Sequence, residues 1–404
     1  GSVFITICAG CRTGMGIKMK KWIAMLLAAC MLLACTAALA DAKWAEDNGL
    51  NKTETVEELY QAALAEGGVL NLYGCTGRDE TVGKSFMEAY PGITVNFYDL
   101  GINEMLEKFR REYEAGVYTA DVLQLKEQNG SVYMDYIKEG LLHNYHPEDI
   151  FGDVDPSYLS VTPFVIELDW WNYNTQAYDK MPISSWWDLT KDEWKGKFIF
   201  LDPTGEPDLI VLFTAMIQYA DQMAADYERV FGEPIVLAAN EPTAAHAWIN
   251  RVAKNGVIIE SSNTNIVKNV GGAADMQDPP LGYGVSSKLR ERDQQGYYLG
   301  VDPSAFQDET PTTAISFMIA QIADNCQHPN AAKLFIRFLC GETDHTGEGL
   351  APFLTAGSYP VFPDAPTLDI DQPAFDSIPT FPLDLDYYYE NYYDVYDYWI
   401  SVQP

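Results

Sequence analysis

The sequence predicts an α/β protein with mainly parallel sheets and helices on both sheet faces. Three observations lead there. Apolar runs of strand length alternate with segments of helical length, and short polar or Gly-containing turns join them. The third is size: 404 residues with 47% hydrophobic and 13% aromatic content suit two domains or one large bilobed unit.

The elements follow in order. Residues 56–66 read as a helix that Gly67-Gly68 ends, and Val69-Leu70-Asn71-Leu72-Tyr73 reads as a buried strand. The loop Gly74-Cys75-Thr76-Gly77-Arg78 opens a helix over 79–90, Pro91-Gly92 breaks it, and a strand over 93–98 completes a β-α-β unit. Helix 103–115, strand 120–125 and helix 131–139 extend the alternation, which favours parallel pairing. A second unit starts with strand 197–201, helices 209–219 and 244–254, and strand 257–260. An apolar run over 311–322 reads as another strand, and Pro329-Asn330 opens an amphipathic helix ending near 339. The stretch 384–399 carries seven tyrosines, with Tyr388, Tyr392 and Tyr396 on one helical face. That stripe reads as a terminal helix packed back on the body.

Charge and termini narrow the function class. Against 26 Lys+Arg stand 58 Asp+Glu, a formal charge of −32, which excludes nucleic acid as a partner by long-range repulsion. Lys18, Lys20 and Lys21 precede an uncharged stretch over 22–40 whose most apolar part is too short to span a bilayer. Residues 1–40 therefore read as an upstream extension and secretory signal, and the protein as exported. Leu32-Leu33-Ala34-Cys35 resembles a lipobox, with Cys35 the lipidated residue, while Ala38-Leu39-Ala40 offers a competing cleavage site. The lipid route is favoured, and membrane contact is expected only through that anchor. Of seven cysteines, Cys75, Cys326 and Cys340 belong to the mature body, where they read as unpaired thiols.

Candidate chemistry gathers at three turns that precede helices: Thr76-Gly77-Arg78, the turn holding Thr204, and Ser261-Ser262-Asn263-Thr264. Free helix N-terminal amides there can bind an anion, and ordinary N-capping is the plainer use of the same residues. Arg78 adds a guanidinium fork and Lys126 a point charge after its strand. Trp171 and Tyr283 are candidates for an aromatic wall, the alternative being core packing. His143 and His146, followed by Glu148 and Asp149, fall in a loop without metal-site spacing, so no metal or cofactor is expected. No Gly-x-Ser-x-Gly elbow, P-loop or His-Glu-x-x-His occurs, so the chain reads as a binder and not an enzyme.

Several segments in order carry a family resemblance. They are Val69 to Tyr73, Ala89-Tyr90-Pro91-Gly92-Ile93-Thr94-Val95, Ala120-Asp121-Val122, Glu139-Gly140-Leu141-Leu142 and Tyr173-Asn174-Thr175. Trp186-Trp187-Asp188-Leu189, Trp194-Lys195-Gly196-Lys197, Asp202-Pro203-Thr204 and Pro329-Asn330-Ala331-Ala332-Lys333 complete the set. Together they resemble type II periplasmic solute-binding proteins of ABC importers, the group with ferric-iron, phosphonate, polyamine and sugar-phosphate binders. The resemblance implies a two-lobed fold with a ligand cleft between the lobes. It places lobe 1 at 41–169 plus 302–363, lobe 2 at 170–301, and an acidic Tyr-rich tail at 364–404. It also implies a small-molecule ligand, a membrane permease as partner, and a monomer, periplasmic or anchored at the outer face of the cell membrane.

Ferric binders in this group present adjacent tyrosines and often a histidine in the first loop. Here Tyr283 stands alone and Arg78 occupies the first loop. An organic anion is therefore the favoured ligand, a phosphorylated, phosphonate or carboxylate compound, with ferric iron the alternative. An exported hydrolase and a surface adhesion protein are the readings from other classes.

Overall fold

The computed structural model describes residues 43–366 and 369–403; the signal segment and Cys35 lie outside the described residues. The strands are β1 (Val69–Gly74), β2 (Thr94–Asp99), β3 (Val122–Glu127), β4 (Leu142–His143), β5 (Pro163–Glu167), β6 (Asp169–Asn174), β7 (Phe198–Leu201), β8 (Ile258–Glu260), β9 (Leu281–Val285), β10 (Leu299–Val301), β11 (Ser316–Ala323) and β12 (Ser358–Pro360). One sheet has the order β12-β5-β11-β3-β1-β2 with β4 on β11, and the other has the order β10-β6-β9-β7-β8.

The predicted alternation supplies most of the parallel pairing, for β1 pairs parallel with β2 and β3 and β7 with β8, and β7 also pairs parallel with β9, a strand the sequence reading did not contain. The expectation of mainly parallel sheets needs correction, because both are mixed. Strand β11 runs antiparallel to β3, β4 and β5, β12 to β5, and β6 to β9 and β10. The reason is the route of the chain. β5 continues almost directly into β6 in the other sheet, and β11 returns late to close the first, so neither is joined to its neighbours by a helical crossover.

The longer helices among the described residues are α1 (Val56–Ala65), α2 (Gly77–Ala89), α3 (Ile102–Glu114), α4 (Asp208–Gln218), α5 (Ala220–Phe231), α6 (Ala244–Lys254), α7 (Asn263–Gly271), α8 (Pro329–Leu339) and α9 (Leu385–Val402). The predicted helix over 131–139 is a π-helical turn at Tyr133–Ile137. In α9 the sequence stripe does what its spacing foretells: Tyr388, Tyr392 and Trp399 are buried against the core of the second sheet's unit, with Tyr396 partly buried. Trp399 meets Phe213 of α4 at 5.3 Å between ring centroids.

Between the sheets the chain is drawn together at Ser286. Its N–H donates to the Leu168 carbonyl at 2.7 Å, and the Leu168 N–H donates to its Oγ at 2.9 Å. The same Oγ donates to the Gly357 carbonyl. Gly357 has φ +87°, and a Cβ there would fall 1.8 Å from the Ser286 carbonyl oxygen. Only glycine satisfies both conditions.

Candidate functional site

At the C-terminal ends of parallel strands, where open sheets present ligands to loops and helix starts, charged side chains converge. Arg78 stands in the first turn of α2, just after β1, Lys126 lies on β3, and Glu167 ends β5. Lys126 Nζ is 3.1 Å from Glu167 Oε2, and Arg78 Nη2 is 3.4 Å from Oε1. Burial works against ionisation of Glu167, but Lys126 and then Arg78 outweigh it and hold its pKa at about 2. Burial likewise opposes the Lys126 charge, and Glu167 followed by Asp208 keeps the ammonium protonated. The Arg78 guanidinium lies over the Phe353 ring at 4.8 Å, and its buried Nη1 has no hydrogen-bond partner.

Facing this group from the other sheet's unit is the short helical turn Ser286–Arg290 that follows β9. Lys288 Nζ donates to Thr264 Oγ1 at 2.7 Å, and Arg290 donates to the Ser287 carbonyl. Burial and then the Arg78 charge pull the Arg290 pKa down; burial and then Arg290 do the same to Lys288. Arg78 and the two cations of this turn are thus close enough to repel one another.

Carboxylates sit on the other side of Lys126. Asp169 starts β6, Asp208 starts α4, and Glu206 lies at the rim, where it accepts from Asn263 Nδ2 at 3.4 Å. Gln128 donates from the first sheet's side to Asp208 Oδ1. Burial and then the Asp208 charge push the Asp169 carboxyl well above the usual range.

The turns singled out from sequence act mainly as caps. Asp79 fills the start of α2, accepting from Cys75 N at 2.8 Å and Thr76 N at 3.1 Å, while Thr76 Oγ1 accepts from Arg78 N and Gly77 is exposed. Ser262 caps α7, Asn263 Oδ1 accepts from Val285 N at 2.9 Å, and Ser261 and Thr264 are exposed at the edge. Thr204 is exposed and bonded through N and Oγ1 to Asp202. Trp171 corrects the aromatic-wall expectation: it is a core residue between Trp186, Phe200 and Tyr283. Tyr283 is also buried, its hydroxyl donating to the Thr312 carbonyl at 3.1 Å, but one side lines a small cavity with Asp169 and Asp208. His143 and His146 serve structure, against Asp324 and the Val161 carbonyl.

A family model described as bacterial extracellular solute-binding protein matches residues 81–376. The chain belongs to this family. Solute-binding proteins of this kind capture small molecules outside the cytoplasm and work with the permease of an ABC importer. Solved structures share the fold at low identity. Iron-bound HitA from Pseudomonas aeruginosa is 19% identical, with 83% of this chain and 99% of that one covered at a TM-score of 0.59. AfuA from Actinobacillus pleuropneumoniae with fructose-6-phosphate bound is 16% identical over 83% and 98%, TM-score 0.59. The ferric binding protein from Campylobacter jejuni is 16% identical over 82% and 99%, TM-score 0.60. The sequence matches no curated protein.

In this solute-binding protein the sequence reading missed Glu167, Asp169, Asp208, Lys288 and Arg290. A signal was present for each group. Glu167 and Asp169 interrupt the otherwise apolar run 163–171, where a charge must find a partner, and Lys288 and Arg290 follow the apolar strand 281–285. Among the described residues, no helix is long and apolar enough to cross a membrane.

Proposed function

We propose that this solute-binding protein captures an organic anion, a phosphorylated, phosphonate or carboxylate compound, and passes it unchanged to its permease. The observation that carries the reading is the convergence of Arg78, Lys126, Lys288 and Arg290, with Glu167 pairing two of them. Guanidinium and ammonium groups that repel one another gain most from an anion that bridges them. The buried, unpaired Nη1 of Arg78 is one donor without an acceptor. A formal charge of −32 opposes an anion at long range, but screening beyond about 8 Å leaves the local donors to decide.

Ferric iron is the weaker reading. Tyr283, the tyrosine it would need, is held neutral by burial and then by Asp169, with its hydroxyl turned to Thr312. Our reading takes 41–169 with 302–363 as one lobe, 170–301 as the other and 364–404 as an accessory tail. The partition of strands between the two sheets supports that division. It further takes the mature protein as a monomer anchored by lipid at Cys35.

The test is native mass spectrometry of the purified protein, followed by calorimetric titration with phosphate monoesters, phosphonates, carboxylates and ferric citrate. A retained or titrated organic anion is expected. Tight ferric binding with a tyrosinate charge-transfer band would refute the proposal.

A further inference from the structure

Arg78 reaches the cationic group on a long side chain that is a quarter exposed, and Glu167 alone does not fix its direction. That contact is 3.4 Å, where a charge-assisted bond is normally about 2.7 to 2.9 Å, and the Arg78 Nη1 is buried without an acceptor. The guanidinium also lies over the Phe353 ring, 4.8 Å from its centroid. Phe353 is itself firmly held. It is fully buried at the end of the short helical turn Ala351–Phe353, its N–H donating to the Leu350 carbonyl at 2.9 Å and its carbonyl accepting from Thr355 N at 3.0 Å. The chain entering that turn is pressed against α8, for a Cβ at Gly349 would fall 1.9 Å from the Phe338 carbonyl oxygen. The Phe353 ring meets Phe164 edge to face, with 4.9 Å between centroids and 82° between planes, and Phe164 lies on β5 three residues before Glu167.

We infer that Phe353 is a positioning residue for anion capture: its ring orients the Arg78 guanidinium, and it sets affinity through Arg78 and not by contact with the solute. The inference rests on the anion reading of this site. An aromatic face attracts a cation electrostatically and uses none of its N–H donors, so the guanidinium keeps its fork for a two-bond contact with an oxyanion. Glu167 attracts Arg78 as well, but it occupies a donor and adds a negative charge that opposes an incoming anion. Phe353 does neither. Restraining a long side chain before the anion arrives also removes part of the ordering entropy that binding would otherwise have to overcome. Both partners of Arg78 are fixed to one strand, because Glu167 ends β5 and the ring of Phe353 rests on Phe164 of the same strand.

The experiment is a double-mutant cycle on the full mature protein: wild type, Phe353→Leu, Arg78→Ala and the double variant. Methyl phosphate, methylphosphonate and acetate are the probes, and the cycle is titrated with whichever binds wild type most tightly. Phe353→Leu keeps an apolar side chain and removes the aromatic face. It should weaken binding about threefold to thirtyfold when Arg78 is present and leave affinity unchanged in the Arg78→Ala background. A ring that only fills space would weaken both backgrounds alike, and that result overturns the inference while leaving the anion reading standing. If none of the three probes binds wild type, both fail. Phe353→Met is the second variant should Phe353→Leu not fold. Where the Arg78→Ala background binds too weakly to titrate, the rate at which phenylglyoxal modifies Arg78 decides, read by peptide mass spectrometry against exposed Arg111. Loss of the ring should speed the reaction at Arg78 several-fold relative to Arg111, and an unchanged ratio overturns the inference.

Discussion

Lys126 Nζ lies 3.1 Å from Glu167 Oε2, and this pair joins the C-terminal end of β3 to the strand that leads into the other sheet. Glu167 is at once the counter-ion of the cationic group and the competitor of any anion that would bind there. Glu167→Gln should therefore destabilise the ligand-free protein by about 3 to 5 kcal/mol, because it leaves buried cations unpaired. An excess of phosphate monoester should restore much of the lost Tm in the variant, and more than it adds to wild type. Equal ligand-induced shifts in the two proteins would make Glu167 purely structural.

The same pair sets an acid limit. The Glu167 pKa is lowered from 4.5 to about 2, so its stabilising contribution is complete above about 4.5 and disappears as pH falls toward 2. Chemical denaturation across that window should show wild type losing stability with a steeper slope than Glu167→Gln. Parallel pH profiles would contradict the assignment.

Gly357 is tested by one methyl group. Gly357→Ala places a Cβ 1.8 Å from the Ser286 carbonyl at a φ of +87°, so the Leu168–Ser286–Gly357 junction has to open. Strain of this kind amounts to about 1 to 3 kcal/mol before any lost contact is added. A clear fall in Tm is expected, and a variant as stable as wild type would show that the junction yields freely.

Helix α9 is expected to contribute stability and not recognition. Trp399 is fully buried against Phe213, and Trp399→Ala should destabilise by about 3 to 5 kcal/mol. Affinity for a bound anion, measured well below the variant's Tm, should stay unchanged. A large loss of affinity would tie the tail to the cleft.

How much was legible in the sequence depended on how local the signal was. Helices over 244–254 and 329–339 follow from periodicity and caps within their own residues and match α6 and α8 to the residue. Strands β5, β6 and β9 escaped because they are buried on both faces and lack alternation, and β5 and β9 also contain Pro163, Gly282 and Gly284, which normally argue against a strand interior. The mixed pairing was hidden for a related reason: β11 inserts between β3 and β5 from nearly two hundred residues downstream of β3, roughly the distance over which no periodicity reaches. Arg78 and Lys126 were readable as cations at strand ends. Glu167 was marked only as a charge in an apolar run, and its partners are fixed only when β11 sets the register between Lys126 opposite Met318 and Glu167 opposite Ser316.

The central claim, that cations from both sides of the cleft hold an anionic solute, is tested most directly by calorimetric titration of wild type, Arg78→Ala and Arg290→Ala with the anion found to bind wild type. Each truncation removes one charge-assisted partner worth about 1.5 to 3 kcal/mol, so affinity should fall roughly tenfold to a hundredfold while circular dichroism stays unchanged. Wild-type affinity in both variants would contradict the account.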